Sequence, residues 1–142
     1  MVYFIDSNIF IRVLELENKK VFEECSRILD MVRRGEIKAF VSNLVLSEIV
    51  WVLGSSYKEG RRKIIKSLTG IRNLENLDVI DNFDTHKAID LYSKHSVKFI
   101  DSLIASIPQI NSKKMTVISY DKDFDKLGVS RIEPNHLINQ LT

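Results

Sequence analysis

Four acidic residues stand where apolar segments of this chain end or are interrupted: Asp6, Glu48, Asp101 and Asp121. Asp6 closes one apolar run and Asp121 follows another, whereas Glu48 and Asp101 interrupt apolar stretches. A carboxylate near buried surface is costly unless a cation or hydrogen bonds compensate its charge. Four such residues from distant parts of the chain therefore predict one shared cation site and metal-dependent chemistry.

Each of the four acids, taken alone, also fits a structural role. Asp6 and Asp121 are of the residue type that caps helices and closes turns after strands. Asp101 lies at the border of the apolar stripe of its segment, where an acid can reach solvent. Glu48 is more informative, because its neighbours in residues 44–53 are almost all apolar and leave hardly any polar face around it. The metal-site hypothesis therefore depends on the four acids together.

Smaller polar residues accompany these acids. Asn8 and Ser119 each lie two residues from the first or the last of the four, and both can hydrogen-bond to a carboxylate, to a bound water or to the backbone. Asp123 shares the last acidic loop and is a further candidate for the site. Asp125 is expected to be solvated.

Other common functional sites do not fit the sequence. The acidic loop at 121–125 has the spacing of the first EF-hand ligands, but Lys126 replaces the required glycine and Ile132 the bidentate glutamate. The three histidines lack zinc-ligand spacing, and there is no phosphate-binding glycine loop or nucleophile elbow. Cys25 lies on an apolar helical stripe, which predicts a core residue.

Basic residues concentrate in one predicted helix between the second and third strands. They are Lys58, Arg61, Arg62, Lys63 and Lys66. Such a face is either simply solvated or a surface that contacts the phosphate backbone of a nucleic acid. The second interpretation places these side chains beside the acidic cleft.

The composition is that of an ordinary folded domain. The chain has 142 residues, 44% of them hydrophobic, which is enough for one core and too few for two. The formal net charge of +2 neither demands nor excludes a nucleic acid. A single cysteine excludes an internal disulfide, and we find neither a signal peptide nor a membrane-spanning stretch. We therefore expect one cytoplasmic domain over residues 1–142 with no membrane association.

Short β-rich runs alternate along the chain with longer segments of helical period. Strands are predicted at residues 2–5, 37–41, 77–80, 115–119 and 129–132. Helices are predicted at residues 8–15, 21–34, 44–53, 58–68, 85–94 and 98–107, with a short helix through 124–127 and a terminal helical turn from 135. Gly70 is expected to close the fourth helix, and Pro108 to limit the sixth. This alternation predicts a three-layer α/β/α sandwich around a central parallel sheet of about five strands.

The predicted fold places the acids near one edge of the sheet. In parallel sheets of this kind, ligands bind beyond the carboxyl ends of the strands, where the strand order reverses. Asp6 and Asp121 follow the first and fourth predicted strands, whereas Glu48 and Asp101 lie near the starts of helices. If these helices begin on the same side of the sheet, all four acids converge on one cleft.

The four acidic motifs resemble those of PIN-domain nucleases, above all the small stand-alone VapC-type toxins of prokaryotes. The matching segments are residues 3–8, 46–48, 99–105 and 118–124, which occur in the family's order over nearly the whole chain. The resemblance implies a five-stranded parallel sheet flanked by helices and an acidic site for Mg²⁺ or Mn²⁺. It also implies cleavage of RNA to a 5′-phosphate and a 3′-hydroxyl.

The resemblance assigns roles to individual positions. The family's acidic ligands match Asp6, Glu48, Asp101 and Asp121, with Asn8 and Ser119 as supporting polar groups. Carboxylates and waters suit hard cations such as Mg²⁺ and Mn²⁺. One ion can lower the pKa of the attacking water, and a second, about 4 Å away, can stabilise the leaving oxygen. Glu48 is expected either to ligate a metal or to orient that water.

The family's biology suggests a toxin, with two alternatives left open. The resemblance implies a metal-dependent endoribonuclease that acts as the toxin of a toxin–antitoxin pair and has a VapB-type antitoxin as partner. The alternatives are a PIN nuclease with a housekeeping role in RNA processing, and a PIN-like module that binds RNA or protein without turnover. The four intact acids count against the binding module. The family also suggests a homodimer, to which the helix that carries Trp51 is expected to contribute.

Overall fold

The computed structural model describes residues 1–142 and contains five strands and nine helices. The strands are β1 (Val2–Ile5), β2 (Lys38–Val41), β3 (Leu77–Val79), β4 (Met115–Ile118) and β5 (Arg131–Ile132). The helices are α1 (Ser7–Leu14), α2 (Lys19–Arg33), α3 (Asn43–Ser55), α4 (Arg61–Arg72), α5 (Thr85–Lys94), α6 (Phe99–Ser106), α7 (Pro108–Asn111), α8 (Asp123–Lys126) and α9 (Pro134–Leu141). All five predicted strands are therefore present.

The strands form one parallel sheet in the order β3-β2-β1-β4-β5. The central strand β1 pairs with β2 on one side and with β4 on the other, where Ile5 lies opposite Ile118. The side chains of β4 are buried throughout, and those of β1 are buried after its first residue. This explains why both strands are apolar runs without alternation, as expected when helices cover both faces of a sheet.

The connections between strands divide the helices into two groups. From β1 the chain moves outward to β2 and then β3 through α1 to α4, and it crosses back to β4 through α5 to α7. Right-handed crossovers in opposite directions place their helices on opposite faces of the sheet. The predicted three-layer α/β sandwich with a five-stranded parallel sheet is thus confirmed.

The strand order reverses between β1 and β4. The chain leaves β1 toward one edge of the sheet, and β4 enters on the other side of β1. Helices on opposite faces diverge at such a point and leave a crevice beyond the carboxyl ends of the two strands. Asp6 follows β1 directly, and its backbone N–H donates to the carbonyl of Ile118 at 3.1 Å. The crevice therefore begins at Asp6.

Helix α3, which carries Glu48, begins at a buried cap. The Ser42 hydroxyl accepts hydrogen bonds from the backbone N–H groups of Leu44 at 2.9 Å and Val45 at 3.4 Å. These bonds satisfy amides that have no partner inside the helix. Val45, Ile49 and Leu53 then lie on the buried side of the helix and fix its orientation on the sheet.

Helix α4 differs from its predicted boundaries at both ends. It begins at Arg61, because Lys58 has a left-handed backbone with φ of 56° and cannot belong to a helix. It continues through Gly70 to Arg72, so the prediction that this glycine closes the helix was wrong. Ile71 is buried, and its packing holds the last turn despite the flexible glycine before it.

The chain after α6 is also more helical than predicted. Pro108 does end α6, but it then occupies the first position of α7, where a missing N–H removes no helical hydrogen bond. The terminal turn predicted from residue 135 is an eight-residue helix, α9, which starts at Pro134 and packs against α2. No helix here combines the length and the apolar character that a bilayer-spanning segment requires.

The cap of α3 makes a testable contribution to stability. We expect Ser42→Ala to lower the free energy of unfolding by about 1 to 2 kcal/mol, because two amides at the helix start lose their acceptor. Urea denaturation followed by circular dichroism measures this difference. Ser55→Ala, at the exposed end of the same helix, is the matched control and should change stability little. Equal losses in both variants would show that the cap contributes nothing specific.

Candidate active site

Asp6 is held by three hydrogen-bond donors at the carboxyl end of β1. Its Oδ1 accepts from the backbone N–H of Ser7 at 2.8 Å, so the residue also caps α1. Its Oδ2 accepts from the Ser119 hydroxyl at 2.7 Å and from Asn8 Nδ2 at 3.1 Å. The side chain is 3% exposed. These bonds compensate part of the cost of burying a carboxylate and fix its position.

Ser119 joins the first and last acids of the site. Besides donating to Asp6, its hydroxyl accepts hydrogen bonds from Asn8 Nδ2 at 3.0 Å and from the backbone N–H of Asp121 at 2.9 Å. Asn8 in turn accepts from the backbone N–H of Tyr120 at 3.3 Å. Both polar residues singled out in the sequence therefore connect the start of α1 to the loop that follows β4.

Arg131 anchors the far side of this loop. Its guanidinium donates to the carbonyl of Ser119 at 2.9 Å and to the carboxylate of Glu133 at 3.0 Å. It also binds both oxygens of Asp125, at 3.0 and 3.1 Å. Asp125 is thus exposed and engaged away from the site, whereas its neighbour Asp123 faces the acids.

Glu48 approaches Asp6 from α3. Its carboxylate accepts a short hydrogen bond from the Ser7 hydroxyl, and Lys98 Nζ lies 4.0 Å from its other oxygen. The side chain is about one-fifth exposed. An acid in an otherwise apolar stretch is therefore placed at the edge of the cleft rather than in the core.

Asp101 lies in the first turn of α6 and is 3% exposed. The alternative that Asp101 reaches solvent from the border of the apolar stripe is therefore excluded, because elements packed against α6 cover this side chain. Its Oδ2 atom is buried and has no hydrogen-bond partner. Carboxylate oxygens of Asp101, Asp121 and Asp123 all lie within 4.8 Å of one another. An oxygen-lined position with an unpartnered buried oxygen fits a hard cation.

Burial raises the pKa of Asp6 to about 6. The hydrogen bonds from Ser119 and Ser7 oppose this rise, because they stabilise the charged form. The nearby carboxylates of Glu48 and Asp121 add to it. Asp6 therefore lies in the field of two other acids, which supports the predicted convergence.

Burial also raises the pKa of Asp101, to about 7. The ammonium of Lys98 opposes this rise, whereas the charges of the other three acids increase it. All four acids predicted from the sequence thus act on one another across the same cleft. Lys98 was not predicted, although it lies three residues before Asp101, the spacing that brings side chains together at a helix start.

The basic side chains of α4 differ in whether they form ion pairs within the chain. Lys63 forms ion pairs with Glu59 and, at 3.8 Å, with Glu15, which follows the end of α1 opposite to Asp6. Its charge is therefore partly neutralised within the chain. Arg61 and Arg62 are exposed at the start of the same helix. Contact of these residues and Lys66 with RNA stays a prediction.

The raised pKa values predict how the free energy of unfolding of the metal-free protein depends on pH. Asp6 and Asp101 have folded-state pKa values of about 6 and about 7, against 3.8 for the ordinary group. Between about pH 4 and pH 7 the folded state therefore holds more protons than the unfolded state, and the free energy of unfolding falls as pH rises through this window. We expect Asp101→Asn to reduce that fall, measured by urea denaturation in EDTA.

The comparison variant is Asp78→Asn, which removes an exposed carboxylate from β3. It should leave the pH dependence of stability close to that of the wild type. An Asp101→Asn protein with the same loss of stability between about pH 4 and pH 7 as the wild type would contradict the raised pKa of Asp101.

The comparisons with known proteins agree with the fold and the site. The PIN domain family model matches residues 3–129. A VapC ribonuclease of Aquifex aeolicus (strain VF5) is 32% identical over 139 residues, which cover 92% of this chain and 95% of the relative.

Two solved structures share the fold at lower identity. VapBC2 from Rickettsia felis, bound to a DNA fragment from its promoter, has a TM-score of 0.66 and 20% identity, covering 94% of this chain and 98% of that one. VapC20 from Mycobacterium tuberculosis, a toxin that cleaves the sarcin-ricin loop, has a TM-score of 0.65 and 14% identity, covering 93% and 98%. The family match extends over most of the chain, and the sequence relative over nearly all of it. The chain therefore belongs to the PIN domain family and, within it, to the VapC ribonucleases.

Proposed function

We propose that residues 1–142 form one divalent-metal-dependent endoribonuclease, which hydrolyses RNA phosphodiester bonds as the toxin of a toxin–antitoxin pair. The observation that carries the proposal is the convergence of the acids at the strand-order reversal, where Asp101 Oδ2 is buried without a partner. A protein that only binds RNA has no use for such a concentration of negative charge, which repels phosphate. The family membership supports the same activity.

The proposed cofactor is Mg²⁺ or Mn²⁺. Asp101, Asp121 and Asp123 supply three carboxylate oxygens within 4.8 Å of one another, and hard oxygen ligands in this number suit either ion. Asp6 lies beside them with both oxygens already hydrogen-bonded. We propose that it contributes its charge and, on the free lone pairs of its carboxylate, a further direct or water-mediated contact.

The chain's own residues position the reacting groups. A bound divalent ion would lower the pKa of a coordinated water and offset charge on the phosphate. Glu48, which accepts a hydrogen bond from the Ser7 hydroxyl, would orient the attacking water. The new bond joins the water oxygen to phosphorus and the bond from phosphorus to the 3′-oxygen breaks, which leaves a 5′-phosphate and a 3′-hydroxyl.

The antitoxin partner is proposed to bind an apolar groove beside α1, α2 and α4. The groove has a volume of about 510 Å³ and is lined by six apolar side chains, Phe10, Val13, Leu14, Leu29, Ile71 and Leu74. Lys63 and Lys66 line it as well. An antitoxin segment with apolar and acidic side chains fits this surface, and the relative from Rickettsia felis is a VapBC structure.

A homodimer and a cytoplasmic site of action complete the proposal. Trp51 is 68% exposed and Val50 38% exposed on the outer side of α3. Large exposed apolar side chains commonly mark a protein interface, and aromatic residues are enriched there.

The cytoplasm is where a bacterial or archaeal RNA substrate and a newly made antitoxin are found.

Loss of one site carboxylate tests the catalytic assignment. We expect Asp101→Asn to reduce RNA cleavage by about 100-fold or more, because it removes charge from the proposed ion position without changing volume. In EDTA the variant should be at least as stable as the wild type, because repulsion among the acids is reduced. Gel-based cleavage of a labelled RNA and thermal unfolding measure the two effects.

Asp78→Asn again serves as the control, because Asp78 lies exposed on β3 and pairs with Lys38. It should cleave RNA at the wild-type rate. Cleavage by purified Asp101→Asn protein at that same rate would refute the assignment of Asp101.

Metal removal tests the cofactor. We expect EDTA to abolish cleavage and added Mn²⁺ or Mg²⁺ to restore it, whereas Zn²⁺ or Ca²⁺ should restore less, since the site offers only carboxylate oxygens and Ca²⁺ prefers more ligands. Undiminished cleavage in EDTA would show that no divalent ion takes part.

The toxin role is tested separately in cells. Induced expression of the wild type should arrest growth, and the Asp101→Asn variant should not. Normal growth with an enzyme that is active in vitro would favour the housekeeping role over the toxin.

A further inference from the structure

Lys98 spans the mouth of the acidic cleft. It stands at the N-cap position of α6, and its backbone carbonyl accepts the N–H of Asp101 at 3.1 Å. Its Nζ lies 4.0 Å from a carboxylate oxygen of Glu48 and 4.0 Å from one of Asp121. These two acids come from α3 and from the loop after β4, so the ammonium group bridges opposite sides of the cleft.

No hydrogen bond fixes this ammonium group. A charge-assisted hydrogen bond is about 2.7 to 2.9 Å long, well short of the 4.0 Å found to either acid. The side chain is 61% exposed and does not cap its helix. Lys98 is therefore kept over the cleft by the combined field of the acids, with its N–H donors free for another acceptor.

The surroundings of Lys98 divide the site into two parts. The closely spaced oxygens of Asp101, Asp121 and Asp123 form the proposed ion position on one side. Glu48 lies on the other side and is bound to Ser7. The ammonium group is near both parts, at the place where an anionic group entering the cleft would meet it.

We propose that Lys98 is a catalytic residue of the nuclease, and that its ammonium group contacts a non-bridging oxygen of the scissile phosphate. This inference rests on the proposed ribonuclease function. Lys98 stays protonated throughout in this role. It gives up no proton, and no covalent bond to it forms or breaks.

The physical reason is charge development during hydrolysis. Negative charge on the phosphoryl oxygens increases as water adds to phosphorus, and a preorganised cation beside those oxygens stabilises the transition state more than the ground state. The same cation also limits repulsion between the acids and the approaching RNA. A lysine that served only to balance the acids would have no effect on cleavage once the divalent ion was bound.

Under the proposed role, loss of the charge changes metal affinity and cleavage in opposite directions. In Lys98→Met the charge is lost while much of the apolar stem remains. Mn²⁺ should then bind the metal-free protein roughly three- to tenfold more tightly, because a competing positive charge near the aspartates is gone. Isothermal titration calorimetry measures this affinity without any need for cleavage.

Cleavage should change in the other direction. At saturating Mn²⁺, we expect Lys98→Met to lower kcat on a labelled RNA by about 100-fold, with a smaller change in KM. Lys98→Arg keeps the charge and should retain cleavage within about tenfold of the wild type. Lys122→Met removes an exposed lysine next to Asp121 that forms no ion pair, and should leave kcat unchanged.

The outcomes separate this proposal from the function on which it rests. Wild-type kcat in Lys98→Met at saturating Mn²⁺ would overturn the role of Lys98 and leave the ribonuclease intact. Weaker Mn²⁺ binding together with lost cleavage would also overturn it, since Lys98 would then act by shaping the ion position. If the wild type binds Mn²⁺ but cleaves no RNA, the proposed function itself fails, and the Lys98 inference with it.

Discussion

The burial of carboxylates beside one another is the constraint on which this site depends. Asp6 and Asp101 are almost completely buried, and each lies in the field of the other acids. Neutral donors bind Asp6 and Glu48, and the ammonium groups of Lys98 and Lys126 lie near the carboxylates on the other side of the cleft. Seven of the eight residues of β1 and β4 are apolar, so the sheet centre that stabilises the protein also bears its most unfavourable charges at the ends of its strands.

The position of β1 makes this arrangement possible. Because β1 lies between β2 and β4, the residues that follow β1 and β4 meet in one crevice although more than a hundred positions separate them in sequence. Ser119 connects the two strand ends. Its hydroxyl donates a hydrogen bond to Asp6 and accepts hydrogen bonds from Asn8 and from the backbone N–H of Asp121. Arg131 holds the same loop from outside. The ion position thus combines the first turn of α6 with a loop that is anchored on two sides.

The sequence predicted the five strands, the parallel sheet and the convergence of the acids, because apolar runs and interrupting carboxylates report burial directly. It did not predict the burial of Asp101, since a helical wheel describes one helix and not the elements packed beside it. Lys98 escaped notice because an exposed lysine is common and its two partners are distant in sequence. Gly70 was taken as a helix stop from local preference, whereas the packing of Ile71 continues the helix. Pro108 does limit α6 as predicted, but the sequence did not predict that it also starts α7.

The pairing of β1 with β4 has a consequence for synthesis of the protein in the cell. The cleft needs both Asp6 and the loop after Ile118, and more than a hundred residues are synthesised between them. A nascent polypeptide that ends before β4 can pair β1 only with β2, and hence has no assembled cleft. Under the proposed function, the messenger being translated is safe from this nascent product until β4 and the loop after it have left the ribosome.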